Sequence, residues 1–365
     1  MKIAIVFGTR PEAIKMCPVV IELRKRGIEC VVCLTGQHRE MLNQVINSFH
    51  IDVDYNLDVM SSKQSLQDIT IAVMRGMEKI IRNERPDIVL VHGDTTTSYA
   101  AAVLCFYERI PLGHVEAGLR TYDMLSPFPE EFNRQSVDMI SSVLFAPTEN
   151  ARRNLIKEGI KEKNIYVTGN TVIDALKTTV KDDYSDENLK WAEGSRLILL
   201  TAHRRENWGK PMEGIFLAVK KIVEEYDDVK IIYPVHKNPI VSNMAFKMLS
   251  DNDRIRLIEP LDVIAFHNYM SRSYLILTDS GGIQEEAPSL GVPVLVMREH
   301  TERPEGITAG TVRLAGTQSQ SIYENTKRLL DDKDLYNNMS TAVNPYGDGH
   351  SSERIADILI KYLGG

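Results

Sequence analysis

The chain has 365 residues, of which 43% are hydrophobic and 25% charged, and its formal net charge is -7 at pH 7. That length is long for one hydrophobic core and comfortable for two, and the composition is that of an ordinary globular protein. The acidic balance argues against nucleic acid or an anionic membrane as a partner, since both call for a basic excess.

Residues 2–7 predict a first strand, short and apolar, that runs straight into Gly8-Thr9-Arg10. It has neither the length nor the cleavage pattern of a signal peptide, and no apolar run approaches a membrane span, so a cytoplasmic protein is expected. Further strands are predicted over 29–34, 88–91, 112–115, 143–146 and 166–168, then over 196–201, 230–234, 255–258, 274–278, 293–296 and 311–314. Helical stretches over 12–26, 66–83, 97–107, 211–225 and 283–289 fall between them, with a closing helix over 351–363. Strand then helix, repeated, means right-handed crossovers and parallel sheets. The expected fold is therefore α/β, with two Rossmann-like domains facing each other across a deep cleft. Residues 1–169 with a C-terminal helix at about 350–365 would form one domain and residues 170–349 the other.

Cys30 and Cys33 have C-x-x-C spacing, but on a strand positions three apart point to opposite faces, and no second pair completes a zinc site. Cys17 and Cys105 read as small core residues.

Three acids stand where burial alone would not put them. Asp94 follows the run Ile88-Val89-Leu90-Val91-His92-Gly93, Glu116 follows Leu112-Gly113-His114-Val115, and Glu130 opens an acidic turn with Glu131. An apolar run ending at a carboxylate reads as a buried strand delivering an acid to the carboxyl edge of the sheet, where open α/β sheets hold ligands. Neighbouring carboxylates can supply both an acid and a base. Bland roles compete: Asp94 as a helix cap, Glu116 as a partner of Arg120 or Arg134, and Glu130 with Glu131 as helix-start acids.

Cations and phosphate-type turns accompany the acids. After the first strand, Arg10 and Lys15 flank a helix start marked by Pro11, although G-x-G-x-x-G and Walker A patterns are absent. Ser280-Gly281-Gly282 after a strand forms an anion cradle, with Glu286 further along the helix where a carboxylate could take both hydroxyls of a ribose. His203, Arg204, Arg205 and Arg303 would add positive charge. A dinuclear metal reading of His92-Gly93-Asp94 and His114-Val115-Glu116 competes, but the remaining histidines lack ligand spacing, and no metal is expected.

Taken in order, several runs resemble the non-hydrolysing UDP-N-acetylglucosamine 2-epimerases. They are 7–15, 35–38, 92–96, 114–120, 129–134, 167–170, 203–207 and 279–286 with Arg303. The resemblance covers nearly the whole chain. It implies a fold of the GT-B type, usually a homodimer, interconverting UDP-GlcNAc and UDP-ManNAc without NAD or another cofactor. By the same resemblance, UDP is eliminated to leave 2-acetamidoglucal, and Asp94, Glu116 and Glu130 carry the proton transfers. Arg10, Lys15, His203 and Arg134 would organise the diphosphate and active site, and Ser280, Gly281 and Gly282 would hold phosphate. Glu286 would bind the ribose, Phe266 the uracil region and Arg303 the UDP. Gln37, His38, Arg205 and His236 match a site where many bacterial members bind a second UDP-GlcNAc, but Glu40 and Lys63 depart from that pattern. A UDP-dependent glycosyltransferase on the same scaffold, or a hydrolysing relative, are the alternatives; the E-x7-E pair of many retaining transferases is missing between Asp279 and Arg303.

Overall fold

The computed structural model describes residues 1–36, 39–59 and 64–364, with 39–41 described by backbone alone. The chain divides into two compact units, Met1–Thr178 with Gly347–Gly365, and Thr179–Tyr346.

In the first unit the strands are β1 (Lys2–Phe7), β2 (Glu29–Leu34), β3 (Tyr55–Asn56), β4 (Ile88–His92), β5 (Leu112–Val115), β6 (Val143–Ala146) and β7 (Ile165–Val167). They form one sheet in the order β3-β2-β1-β4-β5-β6-β7, every neighbour parallel. Parallel strands covered on both faces need continuous apolar runs, and the interiors of β1 and β4 are buried throughout. Two-residue β3 is too short to leave a periodic trace in the sequence. Val6, Val31, Val73, Met77, Val91 and Ala101 pack one face of this sheet.

The second unit contains β8 (Arg196–Thr201), β9 (Val229–Pro234), β10 (Ile255–Ile258), β11 (Leu275–Thr278), β12 (Val294–Val296) and β13 (Val312–Leu314). Their order is β10-β9-β8-β11-β12-β13, again all parallel. Alternation along β8 sends Ile198 and Leu200 into one cluster with Phe216 and Val219, and Leu197 and Leu199 into another with Ile232 and Ile276.

Each strand order reverses once, between β1 and β4 in the first unit and between β8 and β11 in the second. At such a switch point adjacent loops diverge to opposite faces and leave a crevice at the carboxyl edge. The loops there carry Thr9 and Arg10 after β1, Asp94 after β4, His203 after β8, and Asp279 to Gly282 after β11.

The closing helix, Ser351–Gly364, belongs to the first unit. The Asp174 carboxylate accepts the N–H groups of Ser351 and Ser352 at 3.2 and 2.7 Å, which satisfies donors orphaned at the helix start. Arg26, ending the helix Arg10–Lys25, pairs with Asp357 on its exposed side. Because Asp174 lies on the helix Thr171–Thr179, that helix is held in the first unit, and the chain passes to the second at Thr179. All four cysteines are free thiols, and among the described residues no helix is long and apolar enough to cross a membrane.

Candidate active site

Glu12 builds the floor of the first switch point. Thr9 caps the helix Arg10–Lys25, and the Glu12 carboxylate reaches back to the N–H groups of Thr9 and Gly8 at 2.7 and 3.0 Å. This is a capping box, readable in the Thr9-x-x-Glu12 spacing. The other oxygen of Glu12 accepts the hydroxyls of Thr95 and Ser98 at 2.7 and 3.2 Å, so one buried carboxylate ties the loop after β1 to the loop after β4. Gly8 is required here, since a Cβ would fall 2.0 Å from the Thr35 hydroxyl.

The three acids stand in three different environments. Glu116 follows β5 with φ at +70°, a left-handed conformation rare for a residue with a side chain and costing of order 1 kcal/mol or more. Its N–H and that of Ala117 both donate to the Phe145 carbonyl at 3.1 Å, which holds the turn. The carboxylate accepts a bond from Lys15, another from Asn170 Nδ2 at 3.1 Å, and lies 3.6 Å from His92 Nε2. Burial by itself would raise its pKa, but the Lys15 ammonium and His92 outweigh that and hold it well below the usual carboxylate range. Its Oε1 is 3.8 Å from the point a Cβ on Gly93 would occupy, which places it beside the Asp94 loop.

Asp94 is not the helix cap, because Thr95 takes that position and accepts the Ser98 N–H at 3.1 Å. The Asp94 carboxylate instead pairs with Arg134, and its carbonyl accepts Asn133 Nδ2 at 2.9 Å. Glu130 is the first residue of the helix Glu130–Ile140, and its Oε2 is buried with no hydrogen-bond partner among the described residues. Its neighbour Glu131 is occupied: its carboxylate accepts the N–H groups of Thr121 and Tyr122 at 3.0 and 2.9 Å and the Gln135 amide at 2.8 Å. The two adjacent acids therefore divide, one clasping a loop and one with an oxygen to spare.

The expected Glu116 pairings with Arg120 or Arg134 are not found. Arg120 is drawn to Asp138 at 2.7 Å and to Glu158 through two bonds at 2.7 and 2.6 Å, while Arg134 bridges Asp94 and Glu131. Lys15, on the helix Arg10–Lys25 after β1, is the cation that reaches Glu116. Arg10 is half-buried at that helix start. Among the described residues no three His, Cys, Asp or Glu side chains are arranged to hold an ion. His114 is engaged by Asp138 and the Gly93 carbonyl.

In the second unit Asp279 plays the part that Glu12 plays in the first. Fully buried after β11, it accepts the N–H groups of His203 and Arg204, both at 2.9 Å, and Asn207 Nδ2 at 3.1 Å. The loops after β8 and β11 are thereby locked together, although the sequence marked Asp279 only as part of a motif. Ser280 stands at the N-cap position of the helix Gly281–Glu286, but its hydroxyl makes no capping bond and its N–H donates to Thr278 Oγ1 at 2.9 Å. The α-helix stops at Glu286 and continues to Leu290 as a 3-10 turn. A Cβ on Gly281 would lie 3.6 Å from an Arg204 guanidinium nitrogen and 3.7 Å from that of Arg303, so two cations converge on bare backbone at a helix start. That is an anion-binding arrangement.

Glu285 holds Arg303 in place, and Glu302 binds Arg298 through two bonds at 3.0 Å and approaches Arg204 at 3.7 Å. The Arg298 bonds bring the Glu302 pKa down to about 2. Glu286 faces His267 Nε2 at 3.4 Å, with His267 Nδ1 2.7 Å from the Thr179 hydroxyl, and its Oε1 lies 3.3 Å from where a Gly282 side chain would begin. Phe266, the residue before His267, is half-buried against the Leu199 and Ile276 cluster. His203 stacks on His236 with ring centroids 5.6 Å apart and planes 13° from parallel. Burial lowers the His203 pKa, and the nearby His236 and Arg204 add to the effect, against an opposing pull from Asp279. Arg205 is exposed on the neighbouring 3-10 turn. Gln37, His38 and Lys63 lie outside the described residues, as does the side chain of Glu40.

The first unit thus carries acids near its switch point, and the second carries an anion cradle at its own. The sequence pattern of the UDP-N-acetylglucosamine 2-epimerase family matches residues 21–360. The UDP-N-acetylglucosamine 2-epimerase of Bacillus subtilis is 54% identical over 365 residues, covering 100% of this chain and 96% of its own. Among solved structures, S. aureus MnaA with UDP is 53% identical with a TM-score of 0.88, covering 100% of this chain and 97% of that one. The Neisseria meningitidis UDP-GlcNAc 2-epimerase bound to UDP-GlcNAc is 46% identical with a TM-score of 0.87, covering 99% and 100%. The chain belongs to the UDP-N-acetylglucosamine 2-epimerase family, and it is an isomerase.

Proposed function

We propose that this chain is a non-hydrolysing UDP-GlcNAc 2-epimerase that interconverts UDP-GlcNAc and UDP-ManNAc through elimination and re-addition of UDP. The observation that carries the reading is the division of labour among the acids: Glu116 held as an anion by Lys15 and Asn170, Asp94 paired with Arg134, and Glu130 with a buried, unpartnered oxygen.

The chemistry asks for such a set. A hydrogen at C2 beside an acetamido group is barely acidic, so its removal must be coupled to departure of UDP from C1. One carboxylate takes the C2 proton, the C1–O bond breaks with its electron pair leaving on the diphosphate, and the C2–H electrons form the C1–C2 double bond of 2-acetamidoglucal. For the other epimer, a second acid delivers a proton to the opposite face of C2 while the diphosphate oxygen returns to C1. Two faces need two proton-moving groups, which one carboxylate cannot supply. Charge growing on the leaving diphosphate is met by Arg204, Arg303 and the backbone N–H groups at Gly281 and Gly282. His203, with its pKa lowered, meets that charge as a neutral hydrogen-bond donor. Arg10 and Lys15 add positive charge at the first switch point, Glu286 takes the ribose hydroxyls, and Phe266 lies toward the uracil. No cofactor enters any step. A cytoplasmic homodimer is the working assembly on this reading.

Incubation with UDP-GlcNAc in D2O, followed by NMR of the sugar, tests the proposal. Deuterium at C2 of both epimers, with UDP-ManNAc accumulating to equilibrium, is expected. Free ManNAc with UDP would instead assign a hydrolysing enzyme, and epimerisation without solvent label would overturn the elimination.

A further inference from the structure

Beneath the acids lies a fully buried charged chain that the reaction as described does not use. His114, on β5 two residues before Glu116, is 0% exposed. Its Nε2 is 2.8 Å from the Gly93 carbonyl and its Nδ1 is 2.6 Å from Asp138 Oδ1. The ring is thus held at both nitrogens, one against a loop carbonyl and one against a buried carboxylate. The second oxygen of Asp138 accepts the Gly118 N–H at 3.1 Å and Arg120 Nη1 at 2.7 Å.

These bonds fall on the residues that flank the acids. Gly93 immediately precedes Asp94, and Gly118 closes the turn containing Glu116. Gly93, Glu116 and Gly118 all have positive φ, at 62°, 70° and 87°. The glycines take such backbone freely, but Glu116 carries a side chain, and there it persists only where its surroundings over-determine it. Asp138 also shares a face of its helix with Arg134 and Glu130, at steps of four residues. One helix face therefore carries a free acid, the cation that pairs with Asp94, and the carboxylate that braces the Glu116 turn.

We propose that His114, backed by Asp138, is a positioning residue for the proton transfers, fixing the Gly93 and Glu116–Gly118 backbone so that Asp94 and Glu116 stay in register with Glu130. The proposal rests on the epimerase reading. His114 touches no substrate, so its loss acts through geometry. Proton transfer needs heavy atoms within hydrogen-bond reach, and a displacement of about 1 Å lowers rates on the order of 100-fold. Slower protonation of the glycal also gives it more time to escape.

The test compares wild type with His114→Ala and His114→Gln by hydrogen exchange, steady-state kinetics and NMR of the products. A Gln amide can still donate to the Gly93 carbonyl but cannot also serve Asp138. For His114→Ala we expect faster exchange confined to segments 88–96 and 112–121, kcat lower by on the order of 100-fold, and KM within about 3-fold. A larger share of turnovers should end as free 2-acetamidoglucal and UDP. His114→Gln should restore protection to 88–96 and about 10-fold of the lost kcat, while 112–121 stays fast. Exchange that quickens uniformly across the first unit, with kcat falling only as the folded fraction falls, would reduce His114 to a structural ion pair. Unchanged exchange in both segments would overturn the proposal outright. Failure of wild type to incorporate deuterium would sink the epimerase reading separately, and the exchange measurements would still decide whether His114 holds the two loops.

Discussion

Lys15 and Glu116 are 101 residues apart in the chain and bonded to each other at the carboxyl edge of the first sheet. The contact decides the charge state of an acid that burial would otherwise push toward neutrality. Lys15→Met removes the largest opposing influence, so the Glu116 pKa should climb out of its depressed range. Turnover of the variant relative to wild type should then be low at neutral pH and recover as pH rises. Initial rates of UDP-ManNAc formation between pH 6 and 9 measure this, and a ratio that does not change with pH would show that Lys15 does not set the charge on Glu116.

Glu130 and Glu131 offer a contrast between neighbours. Glu130→Gln should lose turnover with little change in Tm, because its oxygen holds no other group in place. Glu131→Ala leaves the N–H groups of Thr121 and Tyr122 without their acceptor, at about 2–4 kcal/mol of stability. Thermal denaturation should show a Tm lower by about 5–10 °C for Glu131→Ala. The reverse pattern, with Tm falling for Glu130→Gln alone, would exchange their roles.

His203 is 42% exposed, and the partial burial of its ring holds its pKa below the ordinary value of about 6.5. The neutral ring is thus the form present at neutral pH, and protonation sets in only as pH falls through the depressed pKa. The sign of the linkage follows: below about pH 6.5 the unfolded chain binds this proton more readily, so the native state loses stability on acidification. If the neutral ring supports the reaction, kcat/KM should fall on the acidic side, and His203→Asn should flatten that limb while lowering the plateau. A limb unchanged in His203→Asn would assign it to another group.

Gly281→Ala tests the cradle without disturbing the fold. The new methyl would stand at ordinary contact distance from Arg204 and Arg303, in the space that the proposed function gives to a phosphate oxygen. UDP affinity measured by calorimetry should weaken by about 10-fold or more, the loss expected when one or two charge-assisted bonds go unmade. Tm without nucleotide should stay within about 2 °C of wild type. Undiminished UDP affinity would move the diphosphate elsewhere.

Much of this was legible in the residues because parallel strands write themselves as apolar runs and their ends as motif breaks. The edges at Asp94, Glu116 and Ser280 were visible for that reason, as was the alternation of strands with helices. Partner choice was not legible. Arg120 is four residues from Glu116 in sequence, yet it goes to Asp138 and Glu158, because β5 ends in a left-handed turn that points the two side chains apart. His114 suggested a metal ligand by spacing alone, and only the fold shows both its nitrogens engaged. Glu12 and Asp279 looked like ordinary motif residues, although each clasps two loops that meet only after the sheets form. The Glu130, Arg134, Asp138 periodicity was present in the sequence and could have been read as one helix face.

The first unit is assembled from both ends of the chain, with Asp174 gripping the start of a helix that begins at Ser351. On the ribosome, the intervening stretch from Thr179 to Tyr346 is made as an uninterrupted piece and is complete while its host still lacks a helix. The order of maturation is therefore inverted with respect to the order of synthesis: the half that emerges second can finish first.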